Sequence, residues 1–223
     1  VDATYLYVNP TITVRYNPEL TSLSAAALNV KIQNALISFE ADKLGTFGNK
    51  FYLYELSEKL KDADSSFISV DVDILLEKRF IPLTTEISTY QINYYQKVFE
   101  PHAGHLGSLT STSFTVDDTS ALFLDHDGYG TIDYDTGLIT LTNKLISAYD
   151  GDYLSLKIKP NGKNIFGQRN QIILISGATI ETINDSTDAS TSSVGLVATS
   201  GVSTTISSDN STASSGSTTS YSI

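Results

Sequence analysis

The sequence has no cysteine, no methionine and no tryptophan, and its 14 basic residues stand against 25 acidic ones. Without cysteine there are no disulfides and no thiolate metal sites. A formal net charge of -11 and a pI near 4.5 make a surface that repels phosphate backbones, which argues against direct nucleic-acid binding. The same charge gives no attraction to anionic membranes. No apolar run approaches the ~20 residues of a membrane span, and Val1-Asp2-Ala3-Thr4 has nothing of a signal peptide. The missing methionine, initiator included, leads to the expectation that the chain is a piece of a longer polypeptide.

What is present is 40% hydrophobic content over 223 residues, with 13 tyrosines outnumbering 9 phenylalanines. That is enough apolar material for one large domain or two small ones. Tyrosine with abundant Ser and Thr favours strands and protein interfaces.

The first part, residues 1–83, reads as α+β. Tyr5 to Val8 and Thr11 to Tyr16 are β-prone runs separated by Asn9-Pro10, and Asn17-Pro18 ends the second because proline removes a ladder donor. Thr21 or Ser22 is placed to cap a helix, and behind it Ala25, Leu28, Ile32, Ala35, Leu36 and Phe39 recur at helical spacing. Leu44-Gly45 marks its end. A shorter helix is predicted over Tyr54 to Lys61, with Leu56 and Leu60 inward. Ile68, Val70, Val72, Ile74 and Leu76 then alternate with Ser69, Asp71, Asp73 and Leu75, as in a long half-buried strand. The implied unit is a sheet with one face covered by two helices.

Residues 84–185 read as a mostly antiparallel β domain. Ile87 to Phe99 alternates, with Tyr90, Ile92, Tyr94 and Val98 on one face and Ile87, Tyr95 and Phe99 on the other. Short strands are predicted at Ser113 to Val116, Ala121 to Leu124, Gly130 to Tyr134, Leu138 to Thr142, Tyr153 to Lys159, Gln171 to Ile175 and Thr179 to Ile183. Asp135-Thr136-Gly137 between two alternating runs signals a hairpin. Residues 186–223 form a low-complexity, Ser/Thr-rich tail whose composition cannot offset its ordering entropy. Such a tail is expected to pack on a partner or to extend as an arm.

Candidate chemistry is sparse. His102, His105 and His126 could supply zinc ligands only if they converged; loop histidines in solvent are the plainer reading. Asp125, Asp127, Gly130 and Asp133 resemble a calcium loop, but Tyr129 sits where an oxygen ligand is needed and Thr136 replaces the bidentate glutamate. Asp and Gly cluster there because the chain turns twice. Asp117-Asp118 has nothing to mark it among many acidic pairs. There is no G-x-S-x-G, P-loop or H-E-x-x-H pattern, and Gly128-Tyr129-Gly130 lacks the third glycine of a dinucleotide fingerprint. Lys157, Lys159, Lys163 and Arg169 form the one basic cluster, read as a solvated strand edge or a dock for an acidic neighbour. The expectation is a non-enzymatic chain with no catalytic residues, no metal and no cofactor.

Two stretches carry a resemblance. Thr11-Ile-Thr-Val-Arg-Tyr-Asn-Pro, the Ser/Ala-rich helix ending Phe39-Glu-Ala-Asp-Lys-Leu-Gly-Thr-Phe47, Tyr54-Glu55-Leu56 and Asp64-Ser-Ser-Phe-Ile68 resemble the baseplate J-like protein family. Gly130-Thr-Ile-Asp-Tyr-Asp-Thr-Gly-Leu-Ile-Thr-Leu141 and Gln168-Arg-Asn-Gln-Ile-Ile-Leu174 resemble the C-terminal region of the baseplate wedge ring subunits of T-even-like contractile-tailed phages. The resemblance implies a scaffold in the virion's tail baseplate, assembled in the host cytoplasm. Its partners would be other copies of itself and other wedge subunits, in a ring around the tail hub that rearranges on contraction. Tyr90, Ile92, Tyr94, Tyr95 and Phe99 are the expected interface residues, since a strand apolar on both faces has a second surface to cover. Two other classes compete: a surface adhesin or carbohydrate-binding β domain, which needs clustered exposed aromatics, and a cell-wall-cleaving enzyme, which needs a carboxylate pair in a groove.

Overall fold

A computed structural model describes residues 4–100, 109–111, 114–116, 130–149 and 151–185. In chain order the elements are β1 (Thr4–Tyr16), a 3-10 turn at Pro18–Leu20, α1 (Ala25–Lys43), β2 (Lys50–Tyr52), α2 (Leu53–Lys61) and β3 (Phe67–Phe80). Ten further strands follow: β4 (Ser88–Asn93), β5 (Leu109–Ser111), β6 (Phe114–Val116), β7 (Gly130–Asp133), β8 (Leu138–Lys144), β9 (Ile146–Tyr149), β10 (Leu154–Ile158), β11 (Asn164–Phe166), β12 (Gln171–Ile175) and β13 (Thr179–Asn184). The expected strand over Ala121 to Leu124 lies outside the described residues.

The main sheet runs β12-β1-β3-β10-β5, with β13 also paired to β1. It draws strands from both sides of residue 83. β12 and β13 run parallel to the two halves of β1, and β3 and β10 are antiparallel to their neighbours. The parallel pair departs from the antiparallel pattern expected of the later segment.

Alternation along β1 buries Leu6, Val8, Ile12, Val14 and Tyr16 on one face. Register sets them beside Leu76, Ile74, Val72 and Val70 of β3 and Leu156 and Ile158 of β10. Two details correct the sequence reading. β1 is one continuous strand through Pro10. The carbonyls of Val8 and Tyr16 accept from Ser176 and Asp185 on the β12/β13 side, so even-numbered residues of β1 turn their backbone groups that way. Pro10 therefore takes no donor from the β3 ladder, and its missing N–H falls where β12 gives way to β13, the site at which a sheet tolerates proline. The second correction concerns Ile68. A register shift between Arg15 and Tyr16 sets Phe67 opposite Tyr16, so Phe67 is buried and Ile68 is exposed. An extra residue in one strand reverses the alternation beyond it.

The helices cover the buried face. α1 begins at Ser24, whose Oγ accepts from the Ala27 N–H; Thr21 instead accepts from Leu23 in the preceding turn. Leu28, Ile32, Leu36 and Phe39 are buried along its stripe, as the spacing predicts. Gly45, at φ +83, follows the last turn and donates to the Ile173 carbonyl of β12. α2 contributes Leu53, Leu56 and Leu60, and the Phe39 and Phe51 rings meet edge to face at 5.9 Å between centroids.

Beyond the helices, β4-β8-β7 form a three-stranded antiparallel sheet, while β2–β11 and β6–β9 are two-stranded ribbons. The predicted hairpin is β7–β8: Asp133 Oδ1 accepts from Asp135 and Thr136, and Gly137, at φ +71, packs against the Gln96 carbonyl with no room for a Cβ. Ile92, Tyr94, Ile139, Leu141 and Ile146 from this region join the same hydrophobic cluster as the helix stripe.

Candidate functional site

The segment after β4 sorts its aromatics sharply. The expected strand from Ile87 to Phe99 ends at Asn93, because Asn93 Oδ1 accepts from the Tyr95 N–H and Tyr95 adopts φ +57. A short main-chain bridge then joins Val98 to Pro160. Ile92 and Tyr94 are spent in the chain's own core, and Tyr90 is half-buried with its ring 5.4 Å from that of Phe80. The Tyr94 hydroxyl donates to the Leu156 carbonyl, and burial drives its pKa far above the ordinary phenol value. Tyr95 and Phe99 are 55% and 40% exposed. Lys78 Nζ lies 5.6 Å from the Tyr95 ring centroid; burial lowers its pKa. Of the expected interface set, Tyr95 and Phe99 are therefore surface groups, while Tyr94 and Ile92 fix where they sit.

A second surface was not found in the sequence. The face of the main sheet opposite the helices carries Tyr5 and Tyr7 from β1, Leu75, Glu77 and Arg79 from β3, and Ile172 and Leu174 from β12, by register and alternation. At its Tyr5 end the Arg79 guanidinium lies 3.7 Å from the Tyr7 ring centroid and 4.6 Å from that of Tyr153. Arg79 donates to Glu77 Oε1 and to Ser176 Oγ. Burial alone would lower the arginine pKa, and the Glu77 carboxylate, together with the Tyr153 and Tyr7 side chains, more than reverses this. Glu77 is itself buried and has Lys157 Nζ 3.8 Å from its other oxygen. A cavity of about 320 Å³ lies beside Phe99, lined also by Asp73, Ile74 and Lys159; a larger one of about 450 Å³ is bounded by Tyr5, Tyr7, Arg79, Ile81 and Tyr153. Each of these signals was present in the sequence as an alternating residue, but which strands would lie side by side was not.

The basic cluster is divided by the fold. Lys157 and Lys159 sit at the end of β10, which is flanked by β3 and β5 rather than lying at an edge, and Lys159 pairs with Asp73 at 2.7 Å. Lys163 and Arg169 lie in later turns. His102, His105, His126, Asp117, Asp118, Asp125 and Asp127 lie outside the described residues. Among the described residues no three His, Asp or Glu side chains group as metal ligands, and no helix there is long and apolar enough to cross a membrane. Asp133 is held below the usual carboxylate range by the hydrogen bonds from Thr136, as a turn residue.

With this geometry in place, the span from β1 to β3 can be compared with known families. Residues 4–79 match one family model. Its description is baseplate structural protein gp6, C-terminal domain III. The matched span takes in β1, both helices and nearly all of β3, about a third of the chain. It supports a structural protein of a phage baseplate. No curated protein matches the chain.

Proposed function

We propose that the chain is a non-enzymatic building block of a baseplate wedge in a contractile tail, self-associating to build the ring around the tail hub and to link wedges during assembly and contraction. The similarity of residues 4–79 to a baseplate structural domain supports the location in the virion. The observation that carries self-association is the pairing of buried Tyr94 and Val98 with exposed Tyr95 and Phe99. Rigid aromatic groups displayed on a locked turn give contact area at low entropy cost, as interface anchors do. In this reading residues 1–83 supply the baseplate-J-like part, 84–185 the β-rich part, and 186–223 the Ser/Thr-rich tail. Other copies and other wedge subunits are the partners, with no cofactor, nucleic acid or membrane, and assembly takes place in the host cytoplasm.

Light scattering over a micromolar concentration series tests this. A mass rising above 24.1 kDa, and lowered again by Tyr95→Ser with Phe99→Ser, is expected. A constant monomer mass, with the double variant joining full-length partners as wild type does, would remove the proposal.

A further inference from the structure

Asn161 and Gly162 form the one Asn-Gly pair in the sequence, and the fold sets it in an exposed bend between β10 and β11. The other described glycines each have a backbone reason for being glycine. Five of them hold positive φ, and at Gly130 and Gly167 a Cβ would strike a main-chain oxygen at 2.1 and 2.8 Å. Gly162 has neither constraint. Its φ lies outside the left-handed region, and a Cβ there would meet no heavy atom within 4 Å among the described residues. What its missing Cβ does supply is access, because a glycine nitrogen is the least hindered in reaching the side-chain carbonyl of the residue before it. Asparagine is among the residues that heat and time degrade.

We infer that Asn161 is a deamidation site. The Gly162 nitrogen attacks Asn161 Cγ, the Cγ–Nδ2 bond breaks, and the amide proton leaves with the side-chain nitrogen as ammonia. Water then opens the cyclic imide at either carbonyl, giving aspartate or isoaspartate. One water is consumed and one ammonia released, so the reaction is internal to the bend and needs no oxidant and no partner. The site matters because of what the bend holds. The Asn161 N–H donates to the Lys97 carbonyl and the Phe99 N–H to the Lys159 carbonyl, on either side of the Val98–Pro160 bridge. Isoaspartate routes the main chain through its side-chain methylene, which lengthens the chain immediately after that bridge. Either product also adds a carboxylate to a cavity where Asp71 and Asp73 already stand with Lys159 and Lys163. Both changes weaken the hold on Phe99. The inference is independent of whether Phe99 serves self-association.

The test is peptide mapping of the whole folded chain after incubation in warm, mildly alkaline buffer, with isoaspartate read by enzymatic methylation. Product is expected at Asn161 ahead of Asn93, Asn143 and Asn170, whose following residues, Tyr94, Lys144 and Gln171, carry a Cβ. Gly162→Ala has room for its methyl group, so it should melt with wild type and lose the Asn161 product. Asn161→Gln, which keeps an amide but disfavours the ring, decides the matter if that variant does not fold. Hydrogen exchange at the Asn161 and Phe99 amides should be faster in aged wild type than in the aged variant, as local opening of the bridge requires. Asn161 that stays intact in the folded chain, while a urea-unfolded sample converts, would overturn the site. Conversion with unchanged exchange at Phe99 would overturn its effect on the bridge.

Discussion

The hydroxyl of Tyr94 donates to the main-chain carbonyl of Leu156, tying the end of β4 to a strand of the main sheet 62 residues away in sequence. Tyr94 is 1% exposed, so this bond forms away from water. Tyr94→Phe should keep the packing and leave the carbonyl short of a partner. A loss of about 1–3 kcal/mol in urea unfolding is expected, the cost of an unmet buried polar group. Spectrophotometric titration of wild type against the variant should show the Tyr94 phenol resisting ionisation while the chain stays folded. A variant as stable as wild type would mean that the bond contributes nothing net.

Ile32 is fully buried beneath α1 beside Leu28 and Leu36. Ile32→Ala should cost about 2–5 kcal/mol, the range for deleting a large buried aliphatic group. Ile37, 65% exposed on the same helix, is the control, and its alanine variant should unfold within about 0.5 kcal/mol of wild type. Equal effects at the two positions would contradict the placement of α1.

Asp64 accepts from Lys31 at 2.6 Å and from the Ser66 N–H and hydroxyl. These partners, Lys31 foremost, hold its pKa at about 2, below the ordinary 3.8. A depressed folded-state pKa means that the stabilisation is present above pH 3.8 and is lost as pH falls toward 2. The pair is partly solvated, so a contribution of about 1 kcal/mol is expected after allowing for screening. Asp64→Asn should lower stability at pH 7 by about that much, and the difference from wild type should vanish near pH 2. A difference that is the same at both pH values would rule out the ion pair as its origin.

What the sequence disclosed divides along a physical line. The α1 stripe from Leu28 to Phe39 and the turn at Gly137 were legible, because helical period and positive φ are local properties. Ile68 was set on the wrong face because the extra residue opposite Arg15 and Tyr16 leaves no mark in the pattern of either strand. Pro10 looked like a break, because whether its missing N–H matters depends on which neighbour it would have faced. The aromatics of 90–99 were seen as a group, and their two faces were assigned by alternation. That assignment reached Tyr95 and Phe99 even though the strand stops at Asn93. The Arg79 surface stayed hidden, because it joins β1, β3, the segment before β10 and the end of β12, and pairing between distant strands is not written in any one of them.

The account turns on whether the exposed aromatics are covered in the assembly, and hydroxyl-radical footprinting with mass spectrometry reads this residue by residue. The chain would be labelled at dilute concentration and again in assembled baseplates. Tyr95 and Phe99 should be oxidised readily in the dilute chain and protected in the assembly, while Tyr94, already buried, should resist labelling in both. Equal oxidation of Tyr95 and Phe99 in the two states would contradict the proposal that this surface builds the ring.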